Sequence, residues 1–383
     1  MHLNLVGVIC GLTMTACAPA AAPVDPGLPR LNRPSQVLFW SQVEREAGFR
    51  AMDRITPHRI VQAGDRPRDL PVGEPLAINV DAFMEAEKTA GLLVLQDGRV
   101  RLERYGLGFG PQQRWTSFSV AKSVTSILVG AAIHDGSIES LDAPIVRYLP
   151  ELSGGAYDGV TVRQLLTMTS GVMWNEDYTD PASDVARFFE PHPTVGMDPT
   201  LAYMRGLGRT AQPGTGWRYS TGETSLVGVL VSRATGRSLA EYLSQMIWRR
   251  YGMEADAAWM IDEAGQEPGG CCLVASLRDW GRVGQFVLDG GVAGGKSVVP
   301  NDWFQQATRK QADIGEPGSG YGFQWWTSDD GTFSARGIFG QTLHIDPERK
   351  LVVVILSAWP TATGTERSAN RAELLARISA AAG

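Results

Sequence analysis

The chain lacks the short motifs that mark the commonest hydrolases. It contains no Gly-x-Ser-x-Gly segment, so the strand–turn–helix elbow of a Ser-His-Asp hydrolase has no candidate. It contains no His-Glu-x-x-His segment either, and its five histidines are scattered along the sequence. That spacing does not match the ligand set of a zinc hydrolase, and we expect no metal site.

The chain also has few cysteines and carries no net positive charge. Of the four cysteines, Cys10 and Cys17 lie near the N-terminus, and the other two are the adjacent pair Cys271-Cys272. Neighbouring cysteines close only a strained ring, so we expect small buried side chains there rather than a disulfide framework or a nucleophile. The formal charge of −6, without a dense basic patch, argues against a nucleic-acid partner.

The first 35 residues have the pattern of a leader and a tether. Leu3 to Ala16 is apolar but too short to span a bilayer as a mature helix, and it ends directly before Cys17. This resembles a lipoprotein-type signal over residues 1–17, with Cys17 as the lipidation site. We therefore expect an exported protein of the periplasm or cell envelope, attached to a membrane through Cys17. A Pro/Ala-rich tether over 18–35 would lead to the folded domain, 36–383.

The folded domain combines strands at both ends with helices between them. Leu92 to Leu102 predicts a β-hairpin around Asp97-Gly98, preceded by a helix over Asn79 to Lys88. Further strands are predicted over 322–327, 333–338, 342–345 and 351–357. Further helices are predicted over 223–234, 239–248 and 367–380. The fold class is α+β: one sheet subdomain formed by about 76–118 and 304–383, with a mostly helical subdomain, about 119–303, inserted.

Ser119-Val-Ala-Lys122 is the candidate catalytic motif. Residues three apart on a helix are neighbours, so the amine of Lys122 can reach the hydroxyl of Ser119 and take its proton. The helix predicted over 119–133 is apolar nearly all round, which indicates burial. Burial lowers the pKa of a lysine, and Lys122 is thus a candidate base. The tetrapeptide alone is a weak signal, because Ser-x-x-Lys arises readily by chance.

Two further segments are candidates to meet this motif. Tyr219 lies between a Gly-rich loop and a predicted helix, where its hydroxyl can act as a second proton carrier. The segment Gly337 to Gln341 resembles a strand edge whose backbone N–H, with that of Ser119, would form an oxyanion hole. We predict Gly340 and Gln341 to be substrate-binding residues.

Several ordered motifs resemble those of one superfamily of serine hydrolases. They are Phe118-Ser119-Val120-Ala121-Lys122-Ser123, Tyr148-Leu149-Pro150-Glu151-Leu152, Thr161 to Gly171, Pro213-Gly214 to Tyr219-Ser220, Tyr251-Gly252-Met253, Ser276-Leu277-Arg278-Asp279 and Phe339-Gly340-Gln341 to Asp346-Pro347. The superfamily comprises class C β-lactamases, penicillin-recognising carboxypeptidases, related esterases and nylon-oligomer (6-aminohexanoate-dimer) hydrolases.

This resemblance implies a role for each candidate residue. Ser119 would be the nucleophile, Lys122 would help to deprotonate it, and Tyr219 would pass the proton to the leaving group. An antiparallel sheet flanked by helices would carry the site, and acyl transfer of this kind needs no cofactor. In the nylon-oligomer branch a tyrosine of the loop resembling Asn175 to Pro181 contacts the scissile amide, which makes Tyr178 a candidate substrate-binding residue.

Two departures from the family pattern bear on the substrate. Counting back two positions from Gly340, where β-lactamases carry a cation for the substrate carboxylate, this chain has Ile338, although Arg336 is close by. Thr221 stands where the tyrosine motif commonly ends in Asn.

Three readings of the function remain open. We expect hydrolysis of a small amide or ester through an acyl-enzyme. β-Lactamase or D-Ala-D-Ala carboxypeptidase activity is the first alternative. A catalytically silent envelope-binding protein of the same fold is the second.

Overall fold

The computed structural model describes residues 34–191, 194 and 196–383. The predicted signal, Cys17 and all but the last two residues of the predicted tether lie outside the described residues. The described chain begins with a 3₁₀ helix over Pro34–Phe39.

The described residues form thirteen strands. They are β1 (His58–Val61), β2 (Thr89–Gln96), β3 (Arg99–Tyr105), β4 (Trp115–Thr116), β5 (Ala257–Met260), β6 (Leu273–Ala275), β7 (Val292–Ala293), β8 (Lys296–Ser297), β9 (Ser319–Tyr321), β10 (Trp326–Ser328), β11 (Phe333–Gly337), β12 (Gln341–Asp346) and β13 (Leu351–Ser357).

The same residues form thirteen α-helices, several of them a single turn long. They are α1 (Gln42–Phe49), α2 (Met52–Ile55), α3 (Asp81–Ala86), α4 (Ala121–His134), α5 (Val162–Leu166), α6 (Asp184–Phe188), α7 (Pro199–Arg205), α8 (Thr221–Thr235), α9 (Leu239–Leu243), α10 (Arg249–Tyr251), α11 (Leu277–Leu288), α12 (Trp303–Ala307) and α13 (Thr365–Ala382).

A seven-stranded antiparallel sheet joins the two ends of the domain. Its order is β3-β2-β13-β12-β11-β10-β9, so the predicted hairpin pairs directly with the last strand of the chain. Asp97 and Gly98 take φ of 49° and 72°, as a tight hairpin turn requires. This confirms the α+β expectation that strands from both ends complete one sheet.

Both faces of this sheet are buried, because its central strands alternate between two hydrophobic clusters. Leu92 and Val94 of β2 point to the cluster that includes Leu374 and Ile378 of α13. Leu93 on the same strand points to the larger cluster, which also contains residues of α4, α8 and α11. Successive strand side chains face opposite sides, so the sheet is covered on both by helices.

The predicted strand over 322–327 is wrong. β9 ends at Tyr321 and β10 begins at Trp326, and between them Gln324 adopts a left-handed φ of 64° that reverses the chain. The four-stranded sheet β1-β5-β6-β4 was not expected from the sequence, because its strands are short and distant from one another along the chain. No helix of the described segments is both long and apolar enough to cross a membrane.

Candidate active site

Ser119 lies in a tight turn just before a buried helix. The turn is a 3₁₀ helix over Phe118–Val120, and α4 begins only at Ala121, two residues later than predicted. Phe118 has a left-handed φ of 44°, a conformation that costs a non-glycine residue of order 1–3 kcal/mol. Every residue of α4 from Ala121 to Ala132 is buried, as the apolar pattern predicted.

Three phenylalanines hold this turn against the strand edge opposite. The ring of Phe118 lies 4.9 Å from that of Phe49 and 5.3 Å from that of Phe339, between centroids. Phe49 and Phe339 are also 5.3 Å apart, and Phe339 itself has a left-handed φ of 59°. This phenylalanine trio fixes two strained turns relative to each other, one before Ser119 and one after Ile338.

Lys122 is buried and hydrogen-bonded to Ser119. Its side chain is 1% exposed, and Nζ lies 3.0 Å from Ser119 Oγ, 2.9 Å from Thr221 Oγ1 and 2.7 Å from the Gly270 carbonyl oxygen. Burial lowers the pKa of Lys122 to about 8, and the carboxylate of Glu176 limits that fall. A substantial fraction of Lys122 is therefore neutral near physiological pH, as a general base requires.

Glu176 and Thr221 connect to this lysine in a way that sequence reasoning missed. The Thr221 hydroxyl accepts from Lys122 and donates to Glu176 Oε1, and the Thr221 N–H donates to Glu176 Oε2 at 3.0 Å. The Tyr178 hydroxyl donates to the same carboxylate at 2.7 Å. The unusual threonine thus serves as a bridge between Lys122 and Glu176.

Tyr219 also interacts with Lys122 and Ser119. Lys122 Nζ lies 5.1 Å from the centre of its ring. Burial raises the pKa of the Tyr219 hydroxyl, Glu176 raises it further, and a hydrogen bond with Ser119 lowers it. Burial thus shifts the two pKa values in opposite directions, so Lys122 loses its proton before Tyr219 does.

The strand edge opposite Ser119 is formed by Gly337 and Ile338. A Cβ on Gly337 would lie 2.6 Å from the Ser117 carbonyl oxygen and 3.1 Å from the Ser119 nitrogen, so only glycine permits this approach. Gly337 and Ile338 line the same cavity as Ser119. The expected oxyanion donors are therefore the N–H of Ser119 and one from this edge.

The structure corrects the placement of Gly340 and Gln341. Gln341 is 0% exposed, and its amide donates to the carbonyls of Ile338, Phe339 and Ser357 and accepts from Trp115 and the Ser357 N–H. A Cβ on Gly340 would lie 2.5 Å from the Trp359 ring. Neither residue lines the cleft. Both instead support the turn that follows Ile338, Gln341 through hydrogen bonds and Gly340 by close packing.

Ser119 opens onto two connected spaces of different character. The larger, of about 490 Å³, includes the polar or charged side chains of Glu176, Tyr178, Tyr219 and Arg336 in its lining. The smaller, of about 60 Å³, is lined mainly by apolar side chains, among them Val37, Leu38, Met52, Val185 and Phe189. Tyr178 lines both spaces.

Cys271 and Cys272 also line the smaller space, and they are joined to each other by a disulfide. This corrects our expectation of two separate small side chains. Across the described residues no three His, Cys, Asp or Glu side chains are grouped so as to hold a metal ion.

Two arginines line the larger space where the sequence indicated a missing cation. Arg336 of β11 and Arg371 of α13 both face this cavity. Burial lowers the pKa of each, and in Arg371 burial and then the neighbouring charge of Arg336 bring it to about 9. The hydrophobic Ile338 therefore does not leave the cleft without positive charge.

A further buried acid, Glu223, lies in the first turn of α8. The Glu223 side chain accepts a hydrogen bond from the Ser170 hydroxyl, and its own backbone N–H donates to the Ser220 hydroxyl at 3.1 Å. Burial raises the pKa of the Glu223 carboxyl to about 8. Glu223 is thus mostly protonated at neutral pH.

A buried Ser-Lys-Tyr cluster between an antiparallel sheet and a helical region defines a β-lactamase-type serine hydrolase, and comparison with known proteins agrees. The chain belongs to the β-lactamase family, whose model matches residues 76–378. It is a serine hydrolase of the amidase and esterase type found in this family.

Three similar proteins match between 35% and 88% of the chain. It is 35% identical over 304 residues to the 6-aminohexanoate-dimer hydrolase of Paenarthrobacter ureafaciens, covering 74% of this chain and 76% of that protein. It is 30% identical over 142 residues to the esterase EstB of Burkholderia gladioli, covering 35% and 36%. A solved structure described as a candidate 6-aminohexanoate-dimer hydrolase from Bacillus anthracis superposes with a TM-score of 0.77 at 26% identity, covering 88% of this chain and 93% of that one.

Proposed function

We propose that this protein hydrolyses a small linear amide through an acyl-enzyme on Ser119. The observation that carries the proposal is the 3.0 Å contact between Ser119 Oγ and Lys122 Nζ, in a buried setting that lowers the pKa of Lys122 to about 8. A neutral amine at that distance is a competent base for a serine hydroxyl.

Acylation follows from the positions of three side chains. Neutral Lys122 takes the hydroxyl proton as Ser119 Oγ bonds to the substrate carbonyl carbon. Negative charge develops on the carbonyl oxygen, which the N–H of Ser119 and one from the Gly337–Ile338 edge stabilise. The C–N bond then breaks as Tyr219, protonated because its pKa is raised, donates a proton to the leaving nitrogen. Lys122 returns its extra proton to Tyr219, so the net transfer is from serine to amine.

Deacylation repeats these steps with water. A water molecule loses a proton to the Lys122–Tyr219 pair and attacks the ester carbonyl of the acyl-enzyme. The Ser119–acyl bond breaks, and Ser119 Oγ regains a proton. The products are an amine and a carboxylic acid, and the protein ends in its starting protonation state.

Relatives and cleft shape both favour a linear amide. The relative matched over three quarters of its length acts, by its name, on the dimer of 6-aminohexanoate. Ser119 lines two spaces, one with several charged and polar side chains and one lined mainly by apolar side chains, which suits an extended substrate with unlike ends. β-Lactam hydrolysis is the second candidate, because Arg336 and Arg371 restore positive charge beside the nucleophile.

Parallel assays would test the proposal. Wild type and Ser119→Ala would be offered a linear ω-amino-acid dimer, a p-nitrophenyl ester and nitrocefin, and a fluorophosphonate adduct would be sought by mass spectrometry. We expect dimer and ester turnover that Ser119→Ala abolishes, with the adduct on Ser119. Ser126→Ala is the matched control, since that α4 hydroxyl is buried and unpartnered among the described residues. Identical behaviour of wild type and Ser119→Ala would indicate a silent binding protein, and rapid turnover of nitrocefin alone would favour a β-lactamase.

We further propose that the protein is exported and lipidated at Cys17. The support is the apolar segment that ends at that cysteine, described above. Growth with a labelled fatty acid should label the wild-type protein and not Cys17→Ala. Label on both proteins, or on neither, would contradict the proposal.

A further inference from the structure

A turn between β5 and β6, residues 268–272, lies against the catalytic lysine. The Gly270 carbonyl oxygen accepts a hydrogen bond from Lys122 Nζ at 2.7 Å, the shortest of the three hydrogen bonds of that amine. Two residues further on, the N–H of Cys272 donates to the carbonyl oxygen of Phe118 at 3.4 Å. The 268–272 turn therefore contacts both the base and the turn that carries the nucleophile.

The Gly270 carbonyl has a specific part in preparing the base. A protonated lysine has three N–H donors, and after losing one proton the amine keeps two N–H groups and one lone pair. The Gly270 carbonyl and the Thr221 hydroxyl are acceptors that can take both remaining N–H groups. The lone pair of Lys122 then points at the Ser119 hydroxyl, as removal of its proton requires. A displaced Gly270 carbonyl would leave the amine free to rotate away.

The disulfide between Cys271 and Cys272 closes this turn directly after Gly270. The two side chains complete a ring that includes the peptide bond joining the residues, so the backbone of both is restrained. Cys272 has a left-handed φ of 71°, a conformation that a non-glycine residue keeps only when its surroundings fix it. Cys271 is half-buried and lines the smaller space together with Ser119, so a small reductant has access to the bond.

We propose that the Cys271–Cys272 disulfide is a positioning element for the catalytic base, so that full acylation of Ser119 requires the oxidised pair. This regulation rests on the proposed function, since it acts on the same acylation step. A dithiol reductant transfers two electrons and two protons to the pair: the S–S bond breaks, two thiols form, and the reductant itself becomes a disulfide. The separated thiols each take their own rotamer, the restraint on Cys272 is lost, and the Gly270 carbonyl shifts relative to Lys122.

Other anchors of the turn do not depend on the disulfide. The Thr125 hydroxyl donates to the Gly269 carbonyl at 2.7 Å, and the Trp259 indole N–H donates to the Cys271 carbonyl at 2.9 Å. These bonds keep the reduced turn folded against α4 and β5, so the shift at Gly270 is small. A small shift is enough, because a hydrogen bond weakens steeply as its angle departs from linearity. We therefore expect reduction to give a slower enzyme rather than an unfolded one.

A redox cycle on the wild-type protein tests the proposal. The protein is assayed oxidised, after reduction with dithiothreitol and its removal by gel filtration, and after reoxidation. Alkylation in denaturant followed by peptide mass spectrometry reports the state of Cys271 and Cys272 at each stage. The readouts are kcat and KM for a p-nitrophenyl ester and the rate at which a fluorophosphonate labels Ser119. We expect reduction to lower kcat and the labelling rate about 10-fold, with KM changed less than about 3-fold, and reoxidation to restore both.

Cys271→Ser/Cys272→Ser is the matched control, because it cannot form the bond and still contains Cys10 and Cys17. It should show the slow rates of the reduced wild type and should not respond to dithiothreitol. If the bond of the wild type resists dithiothreitol in the folded protein, the rates of this variant decide between the same outcomes.

The pH profile of this variant separates positioning of the base from a general structural defect. The Gly270 carbonyl stabilises protonated Lys122, so its displacement should lower the midpoint of kcat/KM by about half a pH unit or more. Glu176, which acts on Lys122 through Thr221, and Tyr219, whose ring lies beside the amine, are unchanged in the variant. A defect that only loosens the fold lowers the rate at every pH and leaves the midpoint in place.

Four results would overturn the positioning role. They are equal labelling of Ser119 in the oxidised and reduced protein, wild-type rates in the double serine variant, an unchanged midpoint in that variant, and free thiols at Cys271 and Cys272 before any reductant is added. Ester or dimer turnover that does not depend on the redox state would retain the hydrolase and refute the positioning role. Labelling of Ser119 that depends on the redox state, without turnover of any amide or ester, would retain the positioning role and refute the proposed function.

Discussion

Replacing Glu176 by Gln should move the pH dependence of catalysis toward acid. Only neutral Lys122 can accept the proton of Ser119, so kcat/KM should rise with pH through the pKa of Lys122, about 8. The Glu176 carboxylate favours the protonated lysine and therefore raises that pKa. Removing its charge lowers the pKa, and the rise in kcat/KM then occurs at lower pH.

The size of this change follows from the bridge through Thr221. Two consecutive hydrogen bonds place the Glu176 carboxylate about 5 Å from Lys122 Nζ. At an effective dielectric constant of about 20, unit charges at that distance attract by about 3 kcal/mol, equivalent to about 2 pH units. We therefore expect the midpoint to fall by about 1 to 2 pH units.

The assay is kcat/KM for a p-nitrophenyl ester between pH 5 and pH 10. Gln offers one acceptor fewer than Glu, so Thr221 and Trp174 lose part of their hydrogen bonding and the maximal rate should also fall. Only the midpoint tests the electrostatic role, because a purely structural defect lowers the rate at every pH. Glu316→Gln, an acid at the rim of the same cavity, should keep the midpoint near 8. An unchanged midpoint in Glu176→Gln, or a move toward alkali, would refute the reasoning.

Three further substitutions probe the surroundings of the nucleophile. Gly337→Ala places a methyl group against the Ser117 carbonyl and Ser119 nitrogen, so kcat should fall at least about 10-fold with a smaller change in KM; wild-type kcat would disprove the close approach. Glu223→Gln should remove a pH dependence of the free energy of unfolding. The Glu223 carboxyl has a pKa of about 8 in the folded protein and 4.5 in the unfolded chain, so between these values the folded protein binds more protons. The free energy of unfolding of the wild type therefore falls by up to roughly 5 kcal/mol as pH rises from 4 to 9. Urea unfolding at pH 6 and pH 9 measures this, and equal slopes in both proteins would contradict it. Lys122→Met should abolish activity. It should also remove a gain in stability between pH 8 and pH 10.5, where the unfolded chain binds one proton more than the folded chain, and urea unfolding at pH 8 and pH 10.5 measures this.

The parts of the site that sequence reasoning located depend on local geometry. Ser119 and Lys122 lie three residues apart, and any helical turn brings such residues together. The hairpin around Asp97-Gly98 is equally local, since those two residues suit left-handed backbone. The alternation of apolar side chains in β2 and β13 supports the sheet in the same way.

The parts that it missed depend on contacts between distant segments. Glu176 meets Thr221 across 45 residues, and no periodicity reports such a contact. The exchange of the usual Asn for Thr221 was a signal that some polar partner had changed, but it did not say which. Phe118 and Phe339 adopt left-handed backbone against their intrinsic preference, because aromatic packing compensates for the strain.

The order of strands in the large sheet has a consequence for the newly made chain. Synthesis delivers the nucleophile turn and its lysine well before β11, β12, β13 and α13, and β2 finds its second neighbour only in β13. The strand edge opposite Ser119, both arginines and one member of the phenylalanine trio all belong to these late segments or directly adjoin them. A partly synthesised chain therefore contains a serine and a base but no complete cleft. A complete cleft therefore requires that the C-terminal segments have been synthesised and folded.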